Sequence, residues 1–310
     1  MTSTSLTDAD HWSPTQIDDQ TGRTALITGA NSGIGLETAR VLAAHGARVI
    51  LAGRSQDKLD EATATIHREL PSAALDTIVL DLSDLASIRS AAARIASNET
   101  IDLLVNNAGV MNLPERRTTS DGFEMTFGTN HLGHFALTAL VMPALRRSPR
   151  ARIITVSAIA GTWRSGRLDD LQSEDRYRPM RAYAKSKRAN IVFTEQLARG
   201  LAGSTIEALV VHPGSAMTGL QQHSHGPIAD RLAGLMERFL MGTSDGAAWP
   251  SLYAATSDAV ESGQFIAPAG RVQTSGTPKA IRIPRGAGTV AEGTRLWTES
   301  ERLTGIDFPL

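Results

Sequence analysis

Thr28-Gly29-Ala30-Asn31-Ser32-Gly33-Ile34-Gly35 separates two segments of opposite character. Thr24-Ala25-Leu26-Ile27 ahead of it is a short β-branched and aliphatic run, and Leu36 to Ala44 behind it has helical spacing and strong helix formers. The order is strand, glycine-rich turn, helix. Gly29 turns the chain where a Cβ would be strained, Gly33 permits close approach of a pyrophosphate, and Gly35 lets helix and strand pack tightly. The N–H groups left free at the helix start, around Asn31, Ser32, Gly33 and Ile34, then face the phosphates. Glycine-rich turns also arise for purely conformational reasons, so the surrounding chain has to supply the context.

That context is a repeated alternation of strand and helix. A second strand, Ala47 to Ala52, follows the stop at Gly46, and a helix from about Gln56 to Leu70 leads to a strand over Asp76 to Leu80. A helix over Leu85 to Asn98 precedes a fourth strand, Ile101 to Asn106. Helices around His131 to Arg147 and Ala182 to Leu201 precede strands at Ala151 to Ser157 and Ile206 to Val211. The strands are nearly continuous apolar runs, as expected of a parallel sheet buried on both faces. The expected fold is therefore α/β: a single-domain, Rossmann-type, doubly wound parallel sheet with helices on both faces. Residues 1–20 read as a flexible lead-in pinned by Trp12 and Ile17, and 21–310 as one dinucleotide-binding and catalytic domain. After Pro213-Gly214 the regularity falls away. Residues 215–241 read as a substrate lid of loop and short helices, 245–255 as a helix, 263–267 as a last strand, and 294–303 as a short helix in a polar, glycine-rich tail.

Bulk properties narrow the function classes. The 310 residues are 41% hydrophobic and 20% charged, ordinary for a globular protein. A formal net charge of −1 opposes a dedicated nucleic-acid binder. Cysteine is absent, which excludes disulfides and thiolate chemistry and fits a reducing compartment. No run approaches the roughly 18 apolar residues of a membrane span, and the polar, acidic start does not read as a secretory signal. The expected location is cytoplasmic.

The second strand ends in Ala52-Gly53-Arg54-Ser55, where a dinucleotide site usually places an acid against the ribose hydroxyls. An acid there would repel a 2′-phosphate, whereas Arg54 can bind one and Ser55 can add a hydrogen bond, with Lys58 one turn on. This favours NADP(H), with NAD(H) possible; a bare surface arginine is the competing reading. Asp81 can accept from the adenine amino group with Leu82 packing nearby, or it can serve as a helix cap.

Tyr183 and Lys187 stand four apart on an expected helix and share a face. An adjacent ammonium favours phenolate and lowers the tyrosine pKa, making Tyr183 a usable acid or base. Ser157, ending the fifth strand, can hydrogen-bond the same substrate oxygen. Asn130 can hold a water or backbone group linking Lys187 to solvent. Taken singly, these residues also read as a surface pair, a turn serine and a helix N-cap. No third ligand accompanies His131 and His134, so no metal is expected there or at His212.

Taken together, these motifs resemble the short-chain dehydrogenase/reductase family over almost the whole chain. The glycine motif is Thr28 to Gly35, and Asn106-Asn107-Ala108-Gly109 matches the signature that stabilises the central sheet and borders the cofactor. The Asn–Ser–Tyr–Lys tetrad falls on Asn130, Ser157, Tyr183 and Lys187. Pro213-Gly214 matches the motif near nicotinamide, with Thr218 placed against its carboxamide. Asn130-His131-Leu132-Gly133-His134-Phe135, the long Ser157-to-Tyr183 separation and Leu296-Trp297-Thr298-Glu299-Ser300-Glu301 resemble retinol-dehydrogenase-like and WW-domain-oxidoreductase-like members.

The resemblance implies an NADP(H)-dependent alcohol dehydrogenase or carbonyl reductase acting on a small hydrophobic ketone, aldehyde or alcohol. Alternatives are an NAD-preferring dehydrogenase, a biosynthetic ketoreductase and a non-catalytic dinucleotide sensor. One departure is a polar insertion over residues 161–180, which either shapes the substrate mouth or decorates the surface. It favours a monomer or homodimer over the family's common tetramer.

Overall fold

A computed structural model describes residues 12–214, 244–270, 273, 275–281 and 289–310. The strands are β1 (Thr24–Thr28), β2 (Arg48–Gly53), β3 (Leu75–Val79), β4 (Leu103–Asn106), β5 (Ala151–Val156), β6 (Ile206–Val211), β7 (Phe265–Pro268) and β8 (Pro278–Ile281). The longer helices are α1 (Gly33–Ala44), α2 (Gln56–Glu69), α3 (Leu85–Asn98), α4 (Gly133–Arg146), α5 (Pro179–Gly200), α6 (Ser244–Thr256) and α7 (Val290–Thr304).

One eight-stranded sheet runs in the order β3-β2-β1-β4-β5-β6-β7-β8. Every neighbouring pair is parallel except β7–β8. Residues of α1, α2 and α6 join one apolar cluster against the sheet, and α3, α4 and α5 join another. Strands flanked on both sides in this way must be apolar at every position, which is why β4 and β5 are buried throughout. Strand order reverses between β1 and β4, and a crevice opens outside the carboxyl ends at such a switch point.

Two departures from the sequence reading have local causes. Strand β8 was not expected: Pro278-Lys279-Ala280-Ile281 is short and mixed, and it pairs on one side only, with Pro268 opposite Pro278. Proline is tolerated at such an edge because no ladder bond is required of it. The helix read from His131 begins instead at Gly133. Ahead of it, Gly128–Leu132 forms a π-helical turn, preceded by the short turn Met125–Phe127. Thr218 and the 215–241 segment lie outside the described residues.

Trp12 and the last described helix are both packed onto the body. Trp12 is buried, with its ring edge-on to Trp249 and Tyr253 at 6.2 and 5.3 Å between centroids. Helix α7 lies over α4 and α5, where Trp297 stacks on Phe193 at 5.7 Å and meets Phe135 and Phe308 edge-on or tilted. The Arg188–Glu292 ion pair closes the same interface at 2.9 Å with both side chains largely buried. Replacing Phe193, which is 2% exposed, by alanine removes the centre of this aromatic cluster. Phe193→Ala is expected to lower unfolding free energy by about 3–5 kcal/mol in urea titration, and a loss below about 1 kcal/mol would show that α7 does not depend on it.

Candidate active site

The crevice at the switch point is built from backbone contacts so close that side chains are excluded. Gly29 and Gly33 have φ of 66° and 55°, in the left-handed region. A Cβ on Gly35 would collide with the Gly29 carbonyl and stand 2.6 Å from Asn107 Nδ2. Asn107 explains the crowding. Its side chain donates to the Thr28 carbonyl at 2.8 Å and its main-chain N–H donates to Thr28 Oγ1 at 2.9 Å, tying the chain after β4 to the turn after β1. Ser32 caps α1 by position, with its side chain making no capping bond. The first N–H groups of α1 have no intrahelical acceptor. This cradle fits a dinucleotide pyrophosphate.

At the end of β2, Arg54 is exposed and makes no hydrogen bond or ion pair among the described residues. Ser55 is the N-cap of α2, accepting from Lys58 N at 3.4 Å, and Lys58 is exposed. Asp81 Oδ1 accepts from the Ser83 N–H and hydroxyl at 2.9 and 2.6 Å. The cap of α3 is Asp84, not Asp81. Leu82 packs its carbonyl directly on Gly133. Ala108 and Gly109 continue the wall beyond Asn107, and Pro213-Gly214 leave β6 at the same sheet edge.

The four tetrad positions converge there. Ser157 Oγ donates to the Lys187 carbonyl at 2.7 Å, and Lys187 Nζ donates to the Val156 carbonyl at 3.0 Å, so the end of β5 grips the first turns of α5. Lys187 Nζ stands 5.8 Å from the centroid of the Tyr183 ring. Asn130 is fully buried within the π-helical turn. Its Oδ1 accepts from Val110 N at 2.7 Å and its Nδ2 donates to Val110 O and Ser186 Oγ, each at 2.9 Å. Asn130 is therefore no helix N-cap; its amide is used by the loop after β4 and by α5. Ser186, which donates on to the Tyr183 carbonyl at 2.8 Å, carried no signal in the sequence, because its reach depends on how α5 meets the π turn.

The electrostatics differ from the sequence expectation. Burial pushes the Tyr183 phenol up to about 12 and the Lys187 ammonium down to about 8. Lys187 bonds a carbonyl and faces the ring, not the phenol oxygen, so desolvation outweighs attraction between the two groups. Burial also lowers His131 to about 3, His134 to about 4 and His212 to about 4, which leaves all three neutral at physiological pH.

The insertion is fastened to the site. Gly161 sits against the backbone of Lys187, where a Cβ would lie 2.7 Å from its carbonyl carbon, and Gly166 sits similarly on Ala184. The buried Lys185 donates to Ser173 Oγ at 3.0 Å, and Tyr177 donates to the Leu113 carbonyl at 2.8 Å. Gln172 Oε1 accepts from Glu124 N at 2.7 Å. Glu124 in turn caps the turn that leads to Asn130, accepting from Thr126 and Phe127 N–H at 2.8 Å each. Beside the insertion, Ile159, Pro268, Ala269, Gln273, Lys279 and Ile281 line an open cavity of about 580 Å³. Among the described residues, no helix is long and apolar enough to cross a membrane, and no cluster of His, Asp and Glu has metal-binding arrangement.

The chain is similar to known proteins. Residues 23–227 match the short chain dehydrogenase family model. Retinol dehydrogenase 13 of Homo sapiens is 39% identical over 297 residues, covering 93% of this chain and 86% of the relative. A solved structure of an uncharacterised protein from Mycobacterium Paratuberculosis is 38% identical and superposes with a TM-score of 0.77, covering 96% of this chain and 99% of that one. A structure described as an NAD(P) dependent gluconate 5-dehydrogenase from Beutenbergia cavernae with bound NADP is 26% identical, with a TM-score of 0.62 over 80% of this chain and 95% of that one.

The lowered pKa of Lys187 carries a stability consequence. Between about 8 and the ordinary 10.5, the unfolded chain binds the proton that the folded chain has released, so this group makes stability rise with pH across that window. Below 8 its desolvation cost is fully present. Lys187→Met is expected to melt at a higher temperature than wild type at pH 7, with the difference shrinking as pH rises to 10. A difference that is constant with pH would contradict the burial of the cation.

Proposed function

The chain belongs to the short chain dehydrogenase family, and from that premise we propose that it is an NADP(H)-dependent oxidoreductase that interconverts a hydrophobic ketone or aldehyde and its alcohol. The observation that carries this reading is the convergence of Ser157, Tyr183, Lys187 and Asn130 at the carboxyl edge of the sheet, beside the glycine cradle. Gly29, Asn31 to Gly35, Asp81, Leu82, Asn107 to Gly109, Pro213, Gly214 and Thr218 would hold the cofactor, with Arg54 and Ser55 at its 2′-phosphate. When bound, nicotinamide supplies or accepts hydride at the substrate carbon.

The protein's own groups handle the proton. In the reductive direction Tyr183 donates to the oxygen as negative charge develops on it. A phenol pushed up to about 12 is protonated and ready for that step at neutral pH. Ser157 turns its hydroxyl from the Lys187 carbonyl to the same oxygen, and Lys187, titrating at about 8, stabilises the phenolate left behind. Asn130 holds Val110 and Ser186 in register with these groups. A hydrophobic substrate is supported by the neighbouring cavity, which Ile159, Pro268, Ala269 and Ile281 line together with Gln273 and Lys279. The retinol dehydrogenases among the relatives support a hydrophobic substrate. The NADP-bound neighbour and Arg54, which pairs with none of the described residues, support the phosphorylated cofactor.

NADPH oxidation against a panel of hydrophobic aldehydes and ketones, with NADH in parallel, tests the reading. Turnover is expected to prefer NADPH, and Tyr183→Phe is expected to lower kcat by about 10²–10⁴-fold. No turnover with either cofactor, or turnover indifferent to Tyr183→Phe, overturns it. Arg54→Asp removes a charge-assisted contact and adds repulsion. It should raise KM for NADPH by about 10–100-fold while sparing NADH, and equal effects on the two cofactors would remove Arg54 from the 2′-phosphate site.

A further inference from the structure

His134, on the first turn of α4, belongs to neither the tetrad nor the glycine cradle, yet it touches both. The residue is 1% exposed. Its Nδ1 lies 2.9 Å from the main-chain oxygen of Asn130, and its Nε2 lies 2.9 Å from Thr28 Oγ1. A carbonyl oxygen only accepts, so Nδ1 carries the hydrogen. At the other end, Thr28 Oγ1 already accepts from the N–H groups of Asn107 and Ala108 at 2.9 and 3.0 Å. Both of its lone pairs are used, and its single hydrogen points to Nε2 in preference to the more distant Val105 carbonyl at 3.3 Å. Each end independently requires the same neutral tautomer. Burial, reinforced by the nearby Lys187 cation, keeps the ring neutral.

The groups held at the two ends are those that shape the site. Thr28 gathers the Asn107–Ala108 turn against the glycine cradle, where no space remains for adjustment. Asn130 lies in a π turn, where regular helical bonding is interrupted, and its side-chain amide is occupied by Val110 and Ser186. Gly109 separates Asn130 from Lys187: a Cβ built there would lie 3.1 Å from Asn130 Oδ1 and 3.6 Å from Lys187 Nζ. A shift of the Asn130 backbone therefore moves the wall around the ammonium.

Resting on the proposed oxidoreductase reading, we propose that His134 is a positioning residue that couples the cofactor-side turn at Thr28, Asn107 and Ala108 to the main chain of Asn130, whose side chain lies across Gly109 from Lys187. Through these two bonds it supports both dinucleotide affinity and the chemical step, without touching substrate.

The experiment compares His134→Leu, which fills volume without hydrogen-bonding, with His134→Gln, whose amide can donate to Asn130 and accept from Thr28. For His134→Leu, the NADPH Kd measured by fluorescence should rise about tenfold and kcat fall about tenfold, with KM for the carbonyl substrate within about twofold of wild type. His134→Gln should recover both to within about threefold of wild type. Wild-type behaviour of His134→Leu, or equal impairment of the two variants, overturns the proposal in favour of simple packing. Imidazole ¹⁵N spectra of the wild-type protein at pH 7 supply an arm free of both variants and turnover. One histidine should show the Nδ1–H form and should be absent from spectra of His134→Gln; a complete set of Nε2–H histidines overturns the coupling. Should wild type turn over no carbonyl, the oxidoreductase reading fails, while the Kd comparison and the spectra still decide the role of His134.

Discussion

Where β1 gives way to α1, three pieces of backbone meet with no room for a side chain between them. Gly35 presses on the Gly29 carbonyl, Asn107 bonds back to Thr28, and Gly29 lies against Ala108. This contact locks the two central strands, β1 and β4, at the point where strand order reverses. The crevice there, the exposed start of α1 and the direction in which the loop after β4 leaves the sheet all follow from it. A single added methyl at Gly35 would separate the helix from the strand and open the cradle.

From this junction, hydrogen bonds joined by the backbone from Ala108 to Val110 lead toward the tetrad. Thr28 holds the Asn107–Ala108 turn, Val110 pairs with the Asn130 amide, Asn130 reaches Ser186, and Ser186 reaches the Tyr183 carbonyl. Much of the polar capacity along this path is thus satisfied within the protein, although the buried Asn106 Oδ1, Thr155 Oγ1 and Asn190 Oδ1 find no partner among the described residues. The desolvation that makes this necessary also sets the acid–base chemistry. It keeps the Tyr183 phenol protonated and makes the Lys187 proton easier to lose than in water. Tight internal bonding and perturbed titration have one origin, the exclusion of water from the region between β5 and α5.

Two segments far apart in sequence support α5. The insertion buttresses its first turns through Gly161, Gly166 and the Lys185–Ser173 bond. Helix α7 covers its outer face through the Phe193–Trp297 stack and the Arg188–Glu292 pair, and it meets the π turn through Ser300, whose hydroxyl lies 3.0 Å from His131 Nε2. A lysine buried with a single hydrogen bond, such as Lys185, is costly to place. Its position in a Tyr-Ala-Lys-Ser-Lys run, between the phenol and the ammonium, ties the insertion to the reactive part of the helix. The insertion is thus fastened to the helix that carries Tyr183 and Lys187.

Local pattern was enough to read the sheet and its order of elements. Apolar runs such as Ile206–Val211 and helical spacings such as Leu85–Asn98 depend on burial of the residues themselves, and both elements have the bounds read from the chain. The glycine turn was legible for the same reason, since its conformation is a property of residues without Cβ atoms. Strand β8 was not, because four mixed residues become a strand only when β7 offers them an edge. The π turn escaped because Asn130 prefers Val110 and Ser186, residues 20 and 56 positions away, to a helix-capping bond. The sign of the Tyr183 shift escaped as well. Spacing put a lysine beside the phenol, but the distance and direction of its ammonium and the water excluded around both groups depend on how β5, α5 and the insertion pack together. Short-range chemistry is written in neighbouring residues; dielectric and long-range hydrogen bonding come into existence with the packed protein.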